Sequence, residues 1–487
     1  MERYRKKVDI LDKSIMDLLE ERMDLSREIG KYKQLNQLNI ENLKREEQIL
    51  NLANKYKNSS EIKDIYKQIF ISSKNVQDYK YFLVGKSLEH SISPRIYKMF
   101  GISDYNLFPT DNFNEVKDIN FSGINITNPY KKEAYKLCDE LDESSIYTNV
   151  VNTIIRKDNK LSGYNTDYYG FSKLLDYYNI SLKGKKVIII GNGATATTIS
   201  KVLYKKDVLN IIHLVRTVKG VNEYLLDEYA KFTDFDIIIN ATPYGTYPNN
   251  QTTPLFSLNN FTKLEVIIDV VYNPLKSPLL LEKRTNVKKI NGLYMLVAQA
   301  AIAASLYTNV DKLTLIEEVY KKINFELTNI ILIGMPFSGK SKLGKILSEK
   351  SSHNLIDLDL IMQENNQDLS TILKTGTLND FRELEEKHAV FYSKKTRTII
   401  ATGGGIVLSK NAMNALKQNG VIIFLDIPLE DLIKRIDESR PLVKNKEDLI
   451  NLYNERISLY KTYSDIIIKN YNNVEEIMEK IYEHINS

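Results

Sequence analysis

Gly334-Met-Pro-Phe-Ser-Gly339-Lys340-Ser341 fits the spacing G-x-x-x-x-G-K-S. It follows the apolar run NIILI and precedes a helical run, KLGKILSEK. Glycines at these places let backbone N–H groups wrap phosphate oxygens, and the helix N-terminus adds positive dipole. Lys340 is expected to reach the β- and γ-phosphates of a nucleoside triphosphate, and the Ser341 hydroxyl to ligate Mg²⁺. The next apolar run ends in Asp357-Leu-Asp359. Read as a strand, it puts both carboxylates on one face of the strand end.

A second glycine turn, Gly191-Asn-Gly193-Ala-Thr-Ala196, follows the run KVIII. Its spacing, G-x-G-x-x-A, is that of a dinucleotide site and is weak by itself. The next run, IIHLV, ends in Val215-Arg216-Thr217, with Lys219 close by. An NAD site usually places an acid there for the ribose 2′-hydroxyl. A cation suits a 2′-phosphate, so NADP(H) is favoured. The alternative is that Arg216 only packs on adenine.

A third set is cationic: Arg5, Arg22, Lys33 and Arg45, with Glu46, Ser73 and Gln77. On one helix the steps from Arg5 to Arg22 and from Arg22 to Lys33 are about −100° and +20°. Arg22 and Lys33 share a face and Arg5 points elsewhere. One bundle cannot easily use all three. A dimer can, with Arg5 lent to the neighbour's site. The bland alternative is a dimerisation bundle with solvated charges.

These residues need elements to hold them. Residues 1–78 contain no Pro and one Gly. Val8, Leu11, Ile15, Leu18, Leu19 and Leu25 recur at a helical period. The spacing predicts a helix over about 2–33, roughly 50 Å long. Under 80 residues give no core of that length, so a homodimer sharing the helix is expected. Two further helices are expected near 42–57 and 61–77. Residues 79–327 alternate strand-like and helical stretches: YFLVG, GINIT, VVNTII, KVIIIG, IIHLV, FDIIIN and VIIDVVY read as strands. Residues 328–487 begin again with NIILIG and continue with NLIDLD, TIIAT and VIIFLDI. The expected class is multidomain: an all-α segment, then an α/β segment with a Rossmann-type layer, then an α/β P-loop segment.

The chain has 487 residues, 43% hydrophobic and 26% charged. This excludes a disordered chain or a collagen. Lys and Arg total 67 against 62 Asp and Glu, a net charge of +5, and no segment is basic enough to suggest nucleic acid. The one cysteine, Cys138, forms no internal disulfide and fits a reducing compartment. No apolar stretch approaches the ~20 residues of a membrane span. The N-terminus places acids where a signal peptide needs an apolar core. A cytoplasmic protein without a membrane or nucleic-acid partner is expected.

The order Asp357-Leu-Asp359, Phe381-Arg382-Glu-Leu-Glu385, Ala401-Thr-Gly403-Gly404-Gly405, Arg440-Pro-Leu and Arg456 with Tyr460 resembles shikimate kinase along nearly all of 328–487. The resemblance implies that Asp359 holds the shikimate hydroxyls and accepts a proton. Arg382 and Arg456 would clamp the carboxylate, and Gly404 and Gly405 would let substrate approach backbone. Asp357 would sit near Mg²⁺, with Gly334, Gly339, Lys340, Ser341 and Arg440 around ATP.

Residues from about 80 to 325 resemble shikimate dehydrogenase. The carriers are Glu89-His90-Ser91-Ile92-Ser93-Pro94, Asn125-Ile-Thr127-Asn-Pro-Tyr-Lys131, Val151-Asn152-Thr153, Gly163-Tyr-Asn165-Thr166-Asp167, Asn240-Ala-Thr242-Pro, Asp269 with Tyr272, and Gly292-Leu-Tyr-Met-Leu-Val-Ala-Gln299. The resemblance implies a substrate domain, about 79–182 and 288–327, around an NADP domain, about 183–287. Lys131 and Asp167 become the catalytic pair, or a structural ion pair on the bland reading. Ser91 and Ser93 would bind the substrate carboxylate. Thr127, Asn152 and Gln299 would hold hydroxyls, and Tyr272 would touch substrate. Ala194-Thr195 after Gly193, and Tyr294 in place of a common glycine, depart from the family pattern. A quinate-using dehydrogenase stays open.

Residues 1–78 resemble the all-helical chorismate mutases, on Glu21-Arg22-Met, Glu28-Ile-Gly-Lys-Tyr-Lys33, Lys44-Arg45-Glu46-Glu47 and Ser73…Gln77. The resemblance implies that Arg5 of a partner subunit and Arg22 hold carboxylates, with Arg45 a third. Lys33 and Gln77 would donate to the ether oxygen, and Glu46 would orient the ring hydroxyl. Asn42 replaces the Asp common one turn before Glu46. The three resemblances together imply a trifunctional enzyme of aromatic amino-acid biosynthesis. One alternative is a bifunctional enzyme with a non-catalytic N-terminal module. Another is a sensor that binds nucleotides and shikimate-like acids without turnover.

Overall fold

The computed structural model describes residues 1–35, 38–77, 81–157, 160–248, 253–282, 284, 286–365, 378–436, 443, 445–469 and 473–486. Three helices open the chain: α1 (Glu2–Leu35), α2 (Leu43–Ala53) and α3 (Ser59–Gln77). At 1.5 Å per residue, the 34 residues of α1 run about 50 Å. Asn42 caps α2, its Oδ1 accepting from Arg45 N–H at 3.1 Å. Both α1 and α2 pack on α3. Among the described residues of α1 only Ser26 and Gly30 are buried. The apolar stripe of Val8, Leu11, Ile15, Leu18 and Leu25 stays exposed.

Three sheets follow. The first contains β1 (Tyr81–Gly85), β2 (Tyr105–Pro109), β3 (Gly123–Ile126), β4 (Glu140–Leu141), β5 (Thr153–Lys157) and β6 (Lys160–Tyr164), in the order β2-β1-β3-β5-β6-β4. It is mixed: β1 pairs parallel with β2 and β3, whereas β5 runs antiparallel to β3 and β6.

The second contains β7 (Lys186–Ile190), β8 (Asn210–Val215), β9 (Glu223–Leu225), β10 (Ile237–Asn240), β11 (Val266–Asp269) and β12 (Lys288–Asn291). Its order, β12-β11-β10-β7-β8-β9, is parallel throughout. Strand order reverses between β7 and β10. A ligand crevice in such sheets lies at the carboxyl ends beside that switch point.

The third contains β13 (Asn329–Ile333), β14 (Asn354–Asp357), β15 (Thr398–Ala401), β16 (Gly420–Leu425) and β17 (Ile466–Ile468), all parallel, in the order β14-β15-β13-β16-β17. Its interior strands are continuous apolar runs because helices cover both faces.

By compactness the chain divides into residues 1–170 with 298–315, and 171–297 with 316–487. Tyr294 packs inside the second unit, stacked on Tyr177 at 4.1 Å and edge-on to Tyr320. Its ring thus has a packing place in this chain.

Three strand expectations need correction. VVNTII is strand only from Thr153, and the Asn152 side chain caps the helix Thr166–Tyr177 through Thr166 N–H. VIIDVVY ends as strand at Asp269, whose carboxylate accepts from Val271 N–H and closes a turn. NLIDLD ends at Asp357, and Asp359 lies in the first turn of the helix Leu358–Asn365. Asp357 and Asp359 therefore do not share a strand face.

Candidate functional site

Phosphate-loop geometry starts at β13. Gly334 and Gly339 have φ of +153° and +89°, a region L side chains avoid. Gly339 caps the helix Lys340–Lys350. Lys340 is buried, and its Nζ donates to Gly334 O and Met335 O at 3.0 Å each. Ser341 is exposed next to it. Asp357 Oδ1 accepts from Asp359 N–H at 3.1 Å and Leu360 N–H at 3.3 Å. The first carboxylate caps the helix that carries the second.

Around Gly403–Gly405 the structure gathers Asp359, Arg382, Glu385 and Arg456. A Cβ on Gly403 would collide with Glu385 Oε1, and one on Gly405 with the Arg382 guanidinium. Arg382 Nη1 donates to Glu385 Oε2 at 2.5 Å. Arg456 Nη1 and the Tyr460 hydroxyl donate to Gly404 O at 3.2 and 2.5 Å. Burial raises the Glu385 pKa; Arg382 opposes it, Asp359 adds to it, and Arg456 opposes it weakly. Glu385 had no role in the sequence reading, although its i,i+3 spacing from Arg382 is a helix ion-pair signal. Arg440 lies outside the described residues.

A second cluster lies in the first compact unit. Lys131 opens the helix Lys131–Leu137, and Asp167 sits in the first turn of the helix Thr166–Tyr177. Lys131 Nζ donates to Asp167 Oδ2 at 2.6 Å, with both side chains largely buried. Asn152 Oδ1 accepts from Thr166 N–H at 2.7 Å and from its hydroxyl at 3.1 Å. The same hydroxyl lies 3.3 Å from Gln299 Oε1. Ser91 donates to Ser93 at 3.2 Å. The serines follow β1, and Thr127 and Lys131 follow β3, its parallel neighbour.

Two features here were missed. Thr166 ties Asn152 to Gln299 and stands beside Asp167. Behind them Asn125 Oδ1 is the common acceptor for Tyr97, Tyr105 and Tyr307, at 2.7, 2.8 and 2.8 Å. Its Nδ2 donates to Thr153 Oγ1 at 2.9 Å, and Thr153 meets Thr166 at 3.1 Å. A buried polar network therefore backs the cluster. A chain of tyrosines far apart in sequence gives no periodic signal.

In the second unit, Gly191 has φ +106°, and a Cβ there would meet Thr242 Cγ2 at 2.8 Å. Gly193 caps the helix Ala194–Tyr204 with open space at its Cβ, and Ala196 is fully buried. His213 Nδ1 bonds Gly191 O at 2.8 Å and braces the turn. Arg216, Thr217 and Lys219 are exposed after β8. Their loop is held by Glu223, which accepts from Lys219 and Gly220 N–H. The cradle, helix terminus and exposed cations fit a phosphorylated dinucleotide. Tyr272 follows β11; burial pushes its phenol up to about 12.

In the helices, Arg22 donates to Ser73, and Ser73 donates to Ile69 O at 2.7 Å. Lys33 Nζ donates to Ile40 O at 2.6 Å; burial lowers its pKa and Glu46 opposes that. Lys74, not singled out from sequence, bridges Glu41 at 2.9 Å and Glu46 at 3.2 Å. Arg45 is exposed and bonds Gln48 at 3.3 Å. Arg5 is exposed, 17 residues or about 26 Å of helix from Arg22. The structure does not bring Arg5 and Arg22 together in one chain. The Gln77 side chain lies outside the described residues.

Among the described residues no three His, Cys, Asp or Glu side chains form a metal cluster. Ser341 and Asp357 offer one hydroxyl and one carboxylate oxygen. That donor set fits Mg²⁺, which takes few protein ligands and relies on phosphate and water.

Family models match three stretches: chorismate mutase type II over 4–78, shikimate dehydrogenase substrate binding domain over 83–154, and shikimate kinase over 336–486. A shikimate dehydrogenase (NADP(+)) of Clostridium beijerinckii is 34% identical over 251 residues, covering 47% of this chain and 91% of that protein. One of Caldicellulosiruptor bescii is 35% identical, covering 48% and 91%. A solved chorismate mutase/shikimate 5-dehydrogenase fusion protein from Clostridium acetobutylicum is 29% identical, covering 50% and 97%, with a TM-score of 0.46.

Proposed function

The chain belongs to the shikimate dehydrogenase family and carries chorismate mutase and shikimate kinase domains on either side, and on that basis we propose how its residues run three reactions. It is a trifunctional shikimate-pathway enzyme, and the boundaries we assign are 1–78, 79–327 and 328–487.

The dehydrogenase reading is carried by one observation: the 2.6 Å Lys131–Asp167 pair next to Thr166, which meets Asn152 and Gln299. NADPH supplies a hydride to the carbonyl of 3-dehydroshikimate. The carbonyl oxygen gains negative charge, and Lys131 stabilises it and supplies the proton. Asp167 holds the ammonium in place and aims it. Ser91 and Ser93 bind the substrate carboxylate. Asn152 spends its oxygen on Thr166, which leaves its amide nitrogen for a substrate hydroxyl, beside Thr127 and Gln299. Gly191, Gly193 and Ala196 cradle the dinucleotide; Arg216, Thr217 and Lys219 take its 2′-phosphate. Tyr272 contacts substrate.

In the kinase, Asp359 binds the shikimate hydroxyls and takes the proton of the attacking one. Arg382 and Arg456 grip the carboxylate beside Gly404 and Gly405. Lys340 turns from the loop carbonyls to the ATP phosphates, and Ser341 and Asp357 hold Mg²⁺. Arg440 belongs to the ATP side.

The mutase needs only to fold a dianion and stabilise charge at the breaking ether bond. Arg22, Lys33, Glu46 and Gln77 act within one subunit, with Ser73 holding Arg22. Arg5 comes from the partner in a homodimer that covers the exposed stripe of α1. Each such apolar side chain gains about 1.5–3 kcal/mol on burial. No described helix is long and apolar enough to cross a membrane, and we place the enzyme in the cytoplasm.

Incubating the purified chain with 3-dehydroshikimate, NADPH, ATP and Mg²⁺ tests both α/β activities. Shikimate 3-phosphate is the expected product by mass. Accumulated shikimate would reject the kinase assignment. Unconsumed substrate would reject the dehydrogenase assignment.

A further inference from the structure

Within the second compact unit, the loop between β11 and the short helix Pro278–Leu281 reaches another sheet. Leu275 N–H donates to Asn419 Oδ1 at 2.9 Å. Lys276 N–H donates to Gln418 O at 2.8 Å, and its Nζ lies 3.4 Å from Gly420 O. Gln418 and Asn419 end the helix Lys410–Asn419, and Gly420 opens β16 of the phosphate-loop sheet. The helices Pro278–Leu281 and Lys410–Asn419 also pack together.

The loop is braced on its own side. Asn291 Nδ2, from β12, donates to Leu275 O at 3.0 Å, and the Ser277 hydroxyl donates to Asp269 Oδ2 at 2.5 Å. Leu275, Ser277, Gln418 and Asn419 are all buried. Buried backbone donors need acceptors. Here the donors of one sheet's loop find theirs at the start of the other sheet. Burial lowers the Lys276 pKa, Asp465 opposes this, and Lys417 adds to it. Asp465 is itself fixed, accepting from Ile422 N–H at 2.8 Å.

A second attachment lies elsewhere in the sequence. In the helix Ile316–Leu327, Tyr320 meets the Tyr178 hydroxyl at 2.8 Å near one end. Near the other, Asn324 Nδ2 donates to Ile485 O at 2.8 Å, and Phe325 packs on His353 and Tyr482. The helix runs into β13 after one residue, Thr328. It packs on both α/β layers.

We propose that the Asn273–Ser277 loop is an interdomain clasp, with Gln418–Gly420 as its receptor, and that it joins the dinucleotide-binding sheet to the phosphate-loop sheet as one body. Two separated attachments remove the hinge freedom that a single helical connection would leave. The clasp does not depend on which substrates either sheet serves.

Hydrogen exchange of the full-length chain tests it. In the wild type the amides of Leu275 and Lys276 should be protected. In Asn419→Ala, which removes one acceptor, and Lys276→Glu, which sets a carboxylate near Asp465, the segment 273–277 should exchange on the order of tenfold faster or more. Protection of β11 and β16 should hold in Asn419→Ala, showing that both sheets stay folded. Unprotected Leu275 and Lys276 amides in the wild type would overturn the proposal. So would segment 273–277 exchanging at the wild-type rate in both variants, or accelerating only where β11 or β16 loses its own protection.

Discussion

Arg382 and Glu385 form an ion pair one helical turn apart, at 2.5 Å, with Glu385 buried and Arg382 half-buried. Among the described residues Glu385 Oε1 has no hydrogen-bond partner, and Asp359 presses on it electrostatically. The pair therefore holds Arg382 against Gly405, where a substrate carboxylate is expected. Glu385→Gln keeps the volume and removes the charge. We expect KM for shikimate to rise about tenfold or more, with a smaller change in kcat, as for lost ground-state binding. Glu385→Ala should also destabilise the kinase by about 1–3 kcal/mol, because the half-buried guanidinium loses its charged partner. Steady-state kinetics and denaturation of the two variants check this.

Lys131 and Asp167 should fail as a unit. Lys131→Met and Asp167→Asn should each lower dehydrogenase turnover by about 10²–10⁴, the span of general acid–base catalysis. The double variant should lose little more than the worse single one. NADPH binding, followed by fluorescence, should persist. Phosphorylation of added shikimate should stay at the wild-type rate. Additive losses in the double variant would show that the residues act separately.

The legible parts of this chain are those where one short run carries both element and chemistry. NIILIG followed by the phosphate loop is such a run, as is KVIII with Gly191 and Gly193. Period-two alternation continues on paper through Asp357 to Asp359, while the Asp357 carboxylate starts a helix. Glu385 was visible in its motif without a role, since its value lies in a partner already assigned. The convergence of Tyr97, Tyr105 and Tyr307 on Asn125 and the grip of Leu275 on Asn419 join residues 20 to 182 positions apart. No local pattern encodes such contacts. The exposed stripe of α1, by contrast, is what a shared long helix predicts.

That stripe leads to a complementation test. Chains carrying Arg5→Ala and Arg22→Ala should each lack chorismate mutase activity. In a heterodimer, one site would combine an intact Arg22 with the partner's intact Arg5. Random mixing after unfolding and refolding should restore about a quarter of wild-type activity per site. No recovery, with dimers present by ultracentrifugation, would show that Arg5 serves no neighbouring site.

Asp269 supplies a pH signature. Burial pushes its pKa up to about 7, against the pull of donors from Ser277, Val271 and Asn240. An unfolded aspartate titrates near ~3.9. Below about pH 4 the group is protonated in both states and costs nothing. Between about pH 4 and 7 the unfolded chain releases the proton while the folded chain keeps it, so stability falls as pH rises. Above about 7 both forms are ionised and the loss levels off. Asp269→Asn cannot ionise and should lack this slope. It should also be less stable by about 1–3 kcal/mol at acid pH, since its amide meets other donors. The wild-type advantage should therefore be largest at the acid end, near pH ~4, and shrink and then reverse toward pH 7, since about three pKa units amount to about 4 kcal/mol. Exchange protection of β10 and β11, compared between the two chains at each pH, measures that difference. A constant gap across the range would mean that Asp269 does not titrate there.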